Sequence, residues 1–420
     1  MGWLWLRFCR LFANREQEVT RAGKLAYNET QKKAGSLMPD EALARAIASP
    51  PAQKLRPRKT ISMKLFQCQV CSQPLFFENA LCEKCGHRLG FDPKARQLMA
   101  LEPAGGDLWQ EAQPGAASRW RFCTNATQGV CNWLVPHDSA QTLCVSCRHN
   151  RMIPDLAEPQ HLERWRRIES AKHRLIYTLL ALDLPLPTRA QDAKGLAFDI
   201  LASAQGGPPV MTGHEDGLVT LNLGEADDGE REKRRTDMGE TYRTLLGHVR
   251  HEIGHFYWER LVRDGGRIEA FRSLFGDERA DYASALQRHY AQGPAPDWQM
   301  HYVSTYASAH PWEDFAETFA HYLHIVDTLE TANAFGLEVH PRIRAAADIS
   351  SQIDVDAHHA RDIGHLIDAW LPLCFAVNSL NRSMGQPDLY PFVLSPQAIA
   401  KLGFVQELVH RPPQAPEHFA

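Results

Sequence analysis

Leu245, Val249, Ile253 and Phe256 recur at helical spacing, so the stretch 245–258 predicts a helix with one buried apolar stripe. Leu162, Trp165, Ile168, Leu175, Ile176 and Leu179 predict another helix over 155–182, ended by Pro185 and Pro187. Its other faces carry Arg164, Arg166, Arg167, Lys172 and Arg174 and read as solvated. Between these helices the period changes. Residues 196–201 and the alternating stretch 217–223 predict strands, and 227–237 predicts a charged loop or helix start. Beyond 260 the pattern is helical. One helix follows Asp281 to about Tyr290, and Pro294 and Pro296 mark a loop. A helix then opens at Pro311 with acids in its first turn. Residues 352–354 and 366–371 predict further helical scaffold. Residues 1–62 are weakly patterned, with a helix near 40–48 and a basic linker around Pro50, Lys54, Arg56, Arg58 and Lys59. They read as a poorly ordered extension or an artefact of gene calling, since Met63 opens the first ordered-looking segment.

Composition narrows the classes. The chain has 420 residues, 44% hydrophobic and 23% charged, enough for two or three domains with a core. A net charge of -4 and a pI near 6.6 predict only weak non-specific attraction to nucleic acid. No apolar run reaches the roughly 18 residues that would span a bilayer. The apolar start, Trp3 to Phe8, lacks the basic flank and cleavage site of a signal peptide.

Of ten cysteines, eight lie between Cys68 and Cys147. That clustering points to metal rather than a disulfide framework, and to a reducing, cytoplasmic compartment. Cys68-x-x-Cys71 and Cys82-x-x-Cys85 form two knuckles whose four thiolates predict a closed structural zinc site, a zinc ribbon. Gly86 permits the left-handed backbone that the second knuckle needs. Cys123, Cys131, Cys144 and Cys147 predict a second zinc site of looser spacing. His137 and His149 are nearby substitutes, but four cysteines suffice.

The 245–258 helix contains His251-Glu252-Ile253-Gly254-His255. Residues four apart share a helical face, so both imidazoles can reach one metal ion, with Glu252 beside a water on it. A catalytic zinc site needs a third protein ligand and an open position. Glu313 and Glu317, four apart on the helix opened by Pro311, supply two candidates: one to bind, the other to orient a histidine. Glu313 lies in the first helical turn, where the dipole favours an anion. His248, His321 and His324 are lesser candidates.

His251-Glu252-x-x-His255 followed by Glu313-Asp314-Phe315-Ala316-Glu317 resembles the gluzincin metallopeptidases. Met63-Lys64-Leu65-Phe66-x-Cys68-x-x-Cys71, Cys131-Asn132-Trp133-Leu134-Val135-Pro136, Tyr242-Arg243-Thr244-Leu245-Leu246-Gly247-His248 and Pro311-Trp312-Glu313-Asp314-Phe315-Ala316-Glu317-Thr318 look like the motifs of bacterial zinc-binding metallopeptidases that begin with a zinc ribbon. The resemblance spans about 63–405. It implies Glu313 as the third ligand and Tyr306 as a group supporting the transition state, with His310 a second candidate for that role.

The expected architecture is α+β, a ribbon region followed by a mainly helical zincin-like domain with a small sheet. Its expected parts are 1–62 as extension, 63–95 as zinc ribbon, 96–155 as second cysteine module, 156–405 as metallopeptidase domain and 406–420 as tail. The expected function is peptide-bond hydrolysis by zinc-activated water with Glu252 as general base. One catalytic and two structural zinc ions, a peptide or protein substrate, a protein partner at the ribbons and no membrane go with it. The rival is a zinc-ribbon adaptor or regulator, reaching nucleic acid through Arg119, Arg121, Arg148 and Arg151.

Overall fold

The computed structural model describes residues 65–410, apart from 114, 116–117, 204–205, 208–209, 238–243 and 343–349. The helix expected near 40–48 and the whole expected extension 1–62 lie outside the described residues. The fold is mixed α+β, with a cysteine-rich region of small sheets followed by a mostly helical half.

In the first region β1 (Phe66–Gln67) and β2 (Pro74–Leu75) form the hairpin that carries the first knuckle. Strands β3 (Arg88–Asp92), β4 (Gln97–Pro103), β5 (Trp109–Glu111), β6 (Arg119–Phe122) and β7 (Leu134–Pro136) follow as an antiparallel meander in chain order. Sequence patterning does not predict this sheet, for a physical reason. On β4, Leu98 and Ala100 face the main core, while Met99 and Leu101 join Trp120 and Leu134 in a smaller cluster on the opposite face. A strand buried on both faces reads as a continuous apolar run and loses the alternation that marks a half-buried one. The boundary expected at 95/96 falls in the turn between β3 and β4, which pair directly from Arg88↔Leu101 to Asp92↔Gln97. That sheet therefore runs unbroken from the second knuckle of the first cysteine set to the second set.

The helical half begins with β8 (Asn150–Met152) and α1 (Pro159–Ala181), then β9 (Ala197–Leu201), β10 (Gly213–Glu215) and β11 (Leu218–Asn222). These strands form one sheet in the order β10-β11-β9-β8, antiparallel only at β10. Strand β8 precedes the boundary expected at 155/156 yet belongs to this sheet. Helices α2 (Asp228–Asp237), α3 (Leu245–Tyr257), α4 (Ile268–Phe275), α5 (Tyr282–Gln292), α6 (Pro311–Ala334), α7 (Ile363–Ser383) and α8 (Pro396–His410) complete it. The tail expected from 406 starts inside α8, and of the scaffold expected as helical at 352–354, Ser351–Gln352 pairs as a short strand with Glu338–Val339. Helix α7 is long and apolar enough, by length and composition, to cross a membrane, which the sequence reading missed. It packs on α6 and α8, and a third of its apolar window is buried.

Helices α3 and α6 are the pair on which the fold turns. Thr244 caps α3 by accepting from the Gly247 N–H at 3.0 Å. Val249, Ile253 and Phe256 are buried as the periodicity predicts, while Leu245 at the helix start is partly exposed. The closest approach to α6 is at Gly254, where an added Cβ would sit 2.7 Å from the Ala316 Cα and 3.0 Å from its carbonyl oxygen. Only glycine allows that spacing. Gly254→Ala should therefore cost about 1–3 kcal/mol through overpacking. A denaturant titration checks this, and unchanged stability would mean that the helices do not touch there.

Behind α3 a buried polar knot ties three helices together. Arg250 of α3 is paired with Asp327 of α6. Asp327 also accepts from Thr178 of α1 at 2.8 Å, and Tyr177 donates to Glu330 at 2.8 Å. A buried pair of this kind is strongly destabilising to break from one side, so it fixes the rotation of α3 beside His251.

Candidate metal centres

The first cysteine set converges at the β1–β2 hairpin. Cys68 and Cys85 sulfurs lie 3.6 Å apart, as do those of Cys71 and Cys82. A zinc ion with sulfur bonds of about 2.3 Å needs tetrahedral edges of about 3.8 Å, and a disulfide would need about 2.05 Å. The set fits zinc. Gly86 takes φ +74° and its N–H bonds the Cys82 carbonyl at 2.8 Å, closing the second knuckle.

The second set is fully buried. The Cys131 and Cys144 sulfurs are 3.8 Å apart. Backbone N–H groups of Cys144, Cys147 and Trp133 reach the Cys123, Cys144 and Cys131 sulfurs at 3.4 Å each. Burial drives the Cys131 and Cys144 thiols well above the usual range, while hydrogen bonds led by Cys123 hold Cys147 down. Four sulfurs this close cannot all ionise alone, and a divalent cation resolves that conflict.

One neighbour escaped sequence reading. His173 of α1 places its Nε2 3.5 Å from the Cys131 sulfur and 3.8 Å from that of Cys147, and its ring stacks on Trp133. Lys172, expected on a solvated face, is fully buried against Glu169 at 2.8 Å. No local pattern marks His173, because its partners Cys131, Cys147 and Trp133 come from the cysteine-rich region. His149 instead engages the Leu196 carbonyl at 2.9 Å, and His137 is exposed.

Two consequences differ between the sets. Cys68→Ser should remove one metal and loosen the outer hairpin while the helical half stays folded. Cys147→Ser should also lower the melting temperature of the helical half, because its sulfur faces Glu169 and His173 of α1. Elemental analysis with thermal melts checks both, starting from the three metals per chain expected of the two cysteine sets and the His251, His255 and Glu313 cluster. One metal per chain would exclude the layout.

The third cluster lies between α3 and α6. His251 Nε2 is 3.2 Å from His255 Nε2 and 3.0 Å from Glu313 Oε2, and His255 Nε2 is 3.5 Å from that same oxygen. Tetrahedral zinc with bonds of about 2.0–2.1 Å to nitrogen and oxygen needs edges of about 3.3–3.4 Å. The triangle matches, and all three residues are buried. Glu317 stands behind it. Its Oε1 lies 2.7 Å from His251 Nδ1, and its Oε2 accepts from Ser304 at 2.6 Å. Burial opposes charge on His251, yet Glu313 and Glu317 raise its proton affinity well above the ordinary value. Burial likewise opposes ionisation of Glu313, but His255 and His251 hold its carboxyl well below the usual range. A cation would take the place of that shared proton.

Glu252 is buried on the same helix. Burial raises its pKa, but His248 first, then His251 and His255, bring it below the ordinary carboxylate value. His248 Nε2 lies 3.4 Å from Glu252 Oε1, and its Nδ1 3.6 Å from Glu225. Tyr306 sits with its ring 5.8 Å from that of His251. His310 does not serve as expected. One ring nitrogen accepts from the Trp312 N–H at 3.1 Å, capping α6, and the other donates to the Ala280 carbonyl at 3.0 Å. Its ring nitrogens are both engaged with backbone. His321 bonds Tyr390 at 2.6 Å and His324 packs near Trp370, so neither joins the cluster. Tyr282, which sequence reading passed over, donates to Glu313 Oε1 at 2.6 Å.

Beside the cluster runs β10. It is an edge strand of the sheet among the described residues, while β11 lies inside it between β10 and β9. His214 of β10 places its ring 6.2 Å from that of His255.

Residues 161–408 match a family model described as "Putative zinc-binding metallo-peptidase", and residues 65–158 match a zinc-ribbon domain. The chain is similar to uncharacterized proteins of Mycobacterium tuberculosis and Mycobacterium bovis, 43% identical over 349 residues, which is 83% of this chain and 95% of each relative. No solved structure matches it.

Proposed function

The chain belongs to that family of zinc-binding metallopeptidases with a zinc ribbon, and on that premise we propose that it hydrolyses peptide bonds at the His251, His255 and Glu313 cluster. The observation that carries the proposal is the 3.0–3.5 Å triangle of ligand atoms, with Glu252 buried beside it on the same helix. Zinc bound there supplies a Lewis acid that polarises the scissile carbonyl and brings the pKa of a water to about 7. Glu252 takes the proton of the attacking water and passes it to the nitrogen of the leaving amine as the C–N bond breaks. His248 steadies Glu252, and Glu317 fixes the tautomer and ring plane of His251. Tyr306, its ring 5.8 Å from that of His251, is the candidate to meet the negative charge that develops on the carbonyl oxygen.

Among the described residues strand β10 ends its sheet beside His255, so an extended substrate can add to it as a further strand. The adaptor alternative draws less support. Arg151 is paired with Asp199, and Arg121 donates to the Ser139 carbonyl at 2.6 Å, leaving less of the basic surface for phosphate. Eight thiolates committed to metal suit a reducing compartment, and the proposed site of action is the cytoplasm. The test is digestion of an unbiased peptide library with and without chelator. Cleavage that chelator abolishes and zinc restores is expected; salt-dependent binding to RNA or DNA with no cleaved peptide would favour the adaptor.

A further inference from the structure

The two carboxylate oxygens of Glu313 have different surroundings. Oε2 faces the Nε2 atoms of His251 and His255. Oε1 accepts the 2.6 Å hydrogen bond of the Tyr282 hydroxyl. Tyr282 is the first residue of α5, and Asp281 caps that helix by accepting from the Ser284 N–H at 2.7 Å. Its ring meets His310 and Trp312 edge-on at 5.3 and 5.8 Å, both at the start of α6. The α5 start and the α6 start are thereby held in one register, with the hydroxyl aimed at a single oxygen. Tyr282 is 37% exposed, so this side of the cluster borders solvent.

A carboxylate can bind a metal through one oxygen or two. Two-oxygen binding by Glu313 would raise the coordination number and crowd the position that a catalytic zinc keeps open for water. We propose that Tyr282 is a positioning residue that confines Glu313 to one-oxygen binding and so keeps that position open. This rests on the metallopeptidase function proposed above. The hydroxyl does so by occupying Oε1 with a short, charge-assisted hydrogen bond, which the carboxylate must break before turning its second oxygen inward.

Cobalt(II) reports the difference, because four-coordinate cobalt absorbs visible light severalfold more strongly than five-coordinate cobalt. The full chain is loaded with cobalt, and the spectrum of identically treated His255→Ala protein is subtracted to remove the cysteine sites. Tyr282→Phe keeps every ring contact, so its thermal melt should match that of the unaltered chain. Its difference spectrum should retain one equivalent of cobalt while the visible band falls severalfold. A merely structural tyrosine would not move band intensity in a protein of unchanged melt. Superimposable difference spectra for Tyr282→Phe and the unaltered chain would overturn the proposal. An unaltered chain whose spectrum equals that of His255→Ala would instead overturn the metal site itself, and the positioning role with it.

Discussion

The Glu252→Gln protein is expected to keep its metals and lose about 10²–10⁴-fold in kcat/KM, the usual contribution of a positioned general base. That loss corresponds to about 2.7–5.5 kcal/mol of transition-state stabilisation. Glutamine has the shape of glutamate and can still accept from His248 through its amide oxygen, so packing around position 252 should survive. What it cannot do is take a proton from water. Glu252 is suited to that task because it is buried between the two ligand histidines on one helix, with His248 Nε2 3.4 Å from its Oε1. Rates on a peptide found by library digestion, with elemental analysis of the same samples, separate lost chemistry from lost metal. Equal turnover would remove Glu252 from the mechanism.

The second large effect distinguishes the two glutamates of α6. Glu313→Ala should abolish tight zinc binding at the cluster, since Oε2 is one corner of the ligand triangle. Glu317→Ala should weaken zinc binding or activity by about 10–100-fold and leave the site assembled, the usual cost of losing the partner of a ligand histidine. The basis is geometric. Glu317 reaches the Nδ1 side of His251 and is held by Ser304, facing away from His255. Zinc titration with a competing chelator ranks the two variants, and the reverse order would make Glu317 the ligand.

What was legible in the sequence was local. The His251 and His255 pair, the paired glutamates and the cysteine knuckles all repeat at spacings set by one helix or one turn, and the residues named from those spacings come together. Glu313 and Glu317 share a helical face, yet which one points at the histidines depends on how α3 crosses α6, and that is set by Gly254 against Ala316. Tyr282, Ser304 and His173 act on partners from other elements, so no period could mark them. His310 was misjudged for a related reason. A histidine before Pro311 looks like chemistry, but at a helix N-terminus its ring is an acceptor for an otherwise unpaired N–H. Strand β10 goes unmarked in the sequence because it is too short to show alternation, while β11 shows it clearly.

The burial of the second cysteine set against α1 bears on time as well as stability. Cys71 and Cys85 of the outer set are partly exposed, so a competing thiol can approach an ion there while the rest of the chain stays native. Cys123, Cys131, Cys144 and Cys147 offer no such approach, with Trp133 and His173 stacked over them. An ion in that cage leaves only when α1 lifts, and α1 is tied through Thr178 and Asp327 to the helix bearing Glu313. The residence time of an ion bound there would then be the lifetime of the cooperative unit that contains α1 and α6, not the off-rate of a surface site.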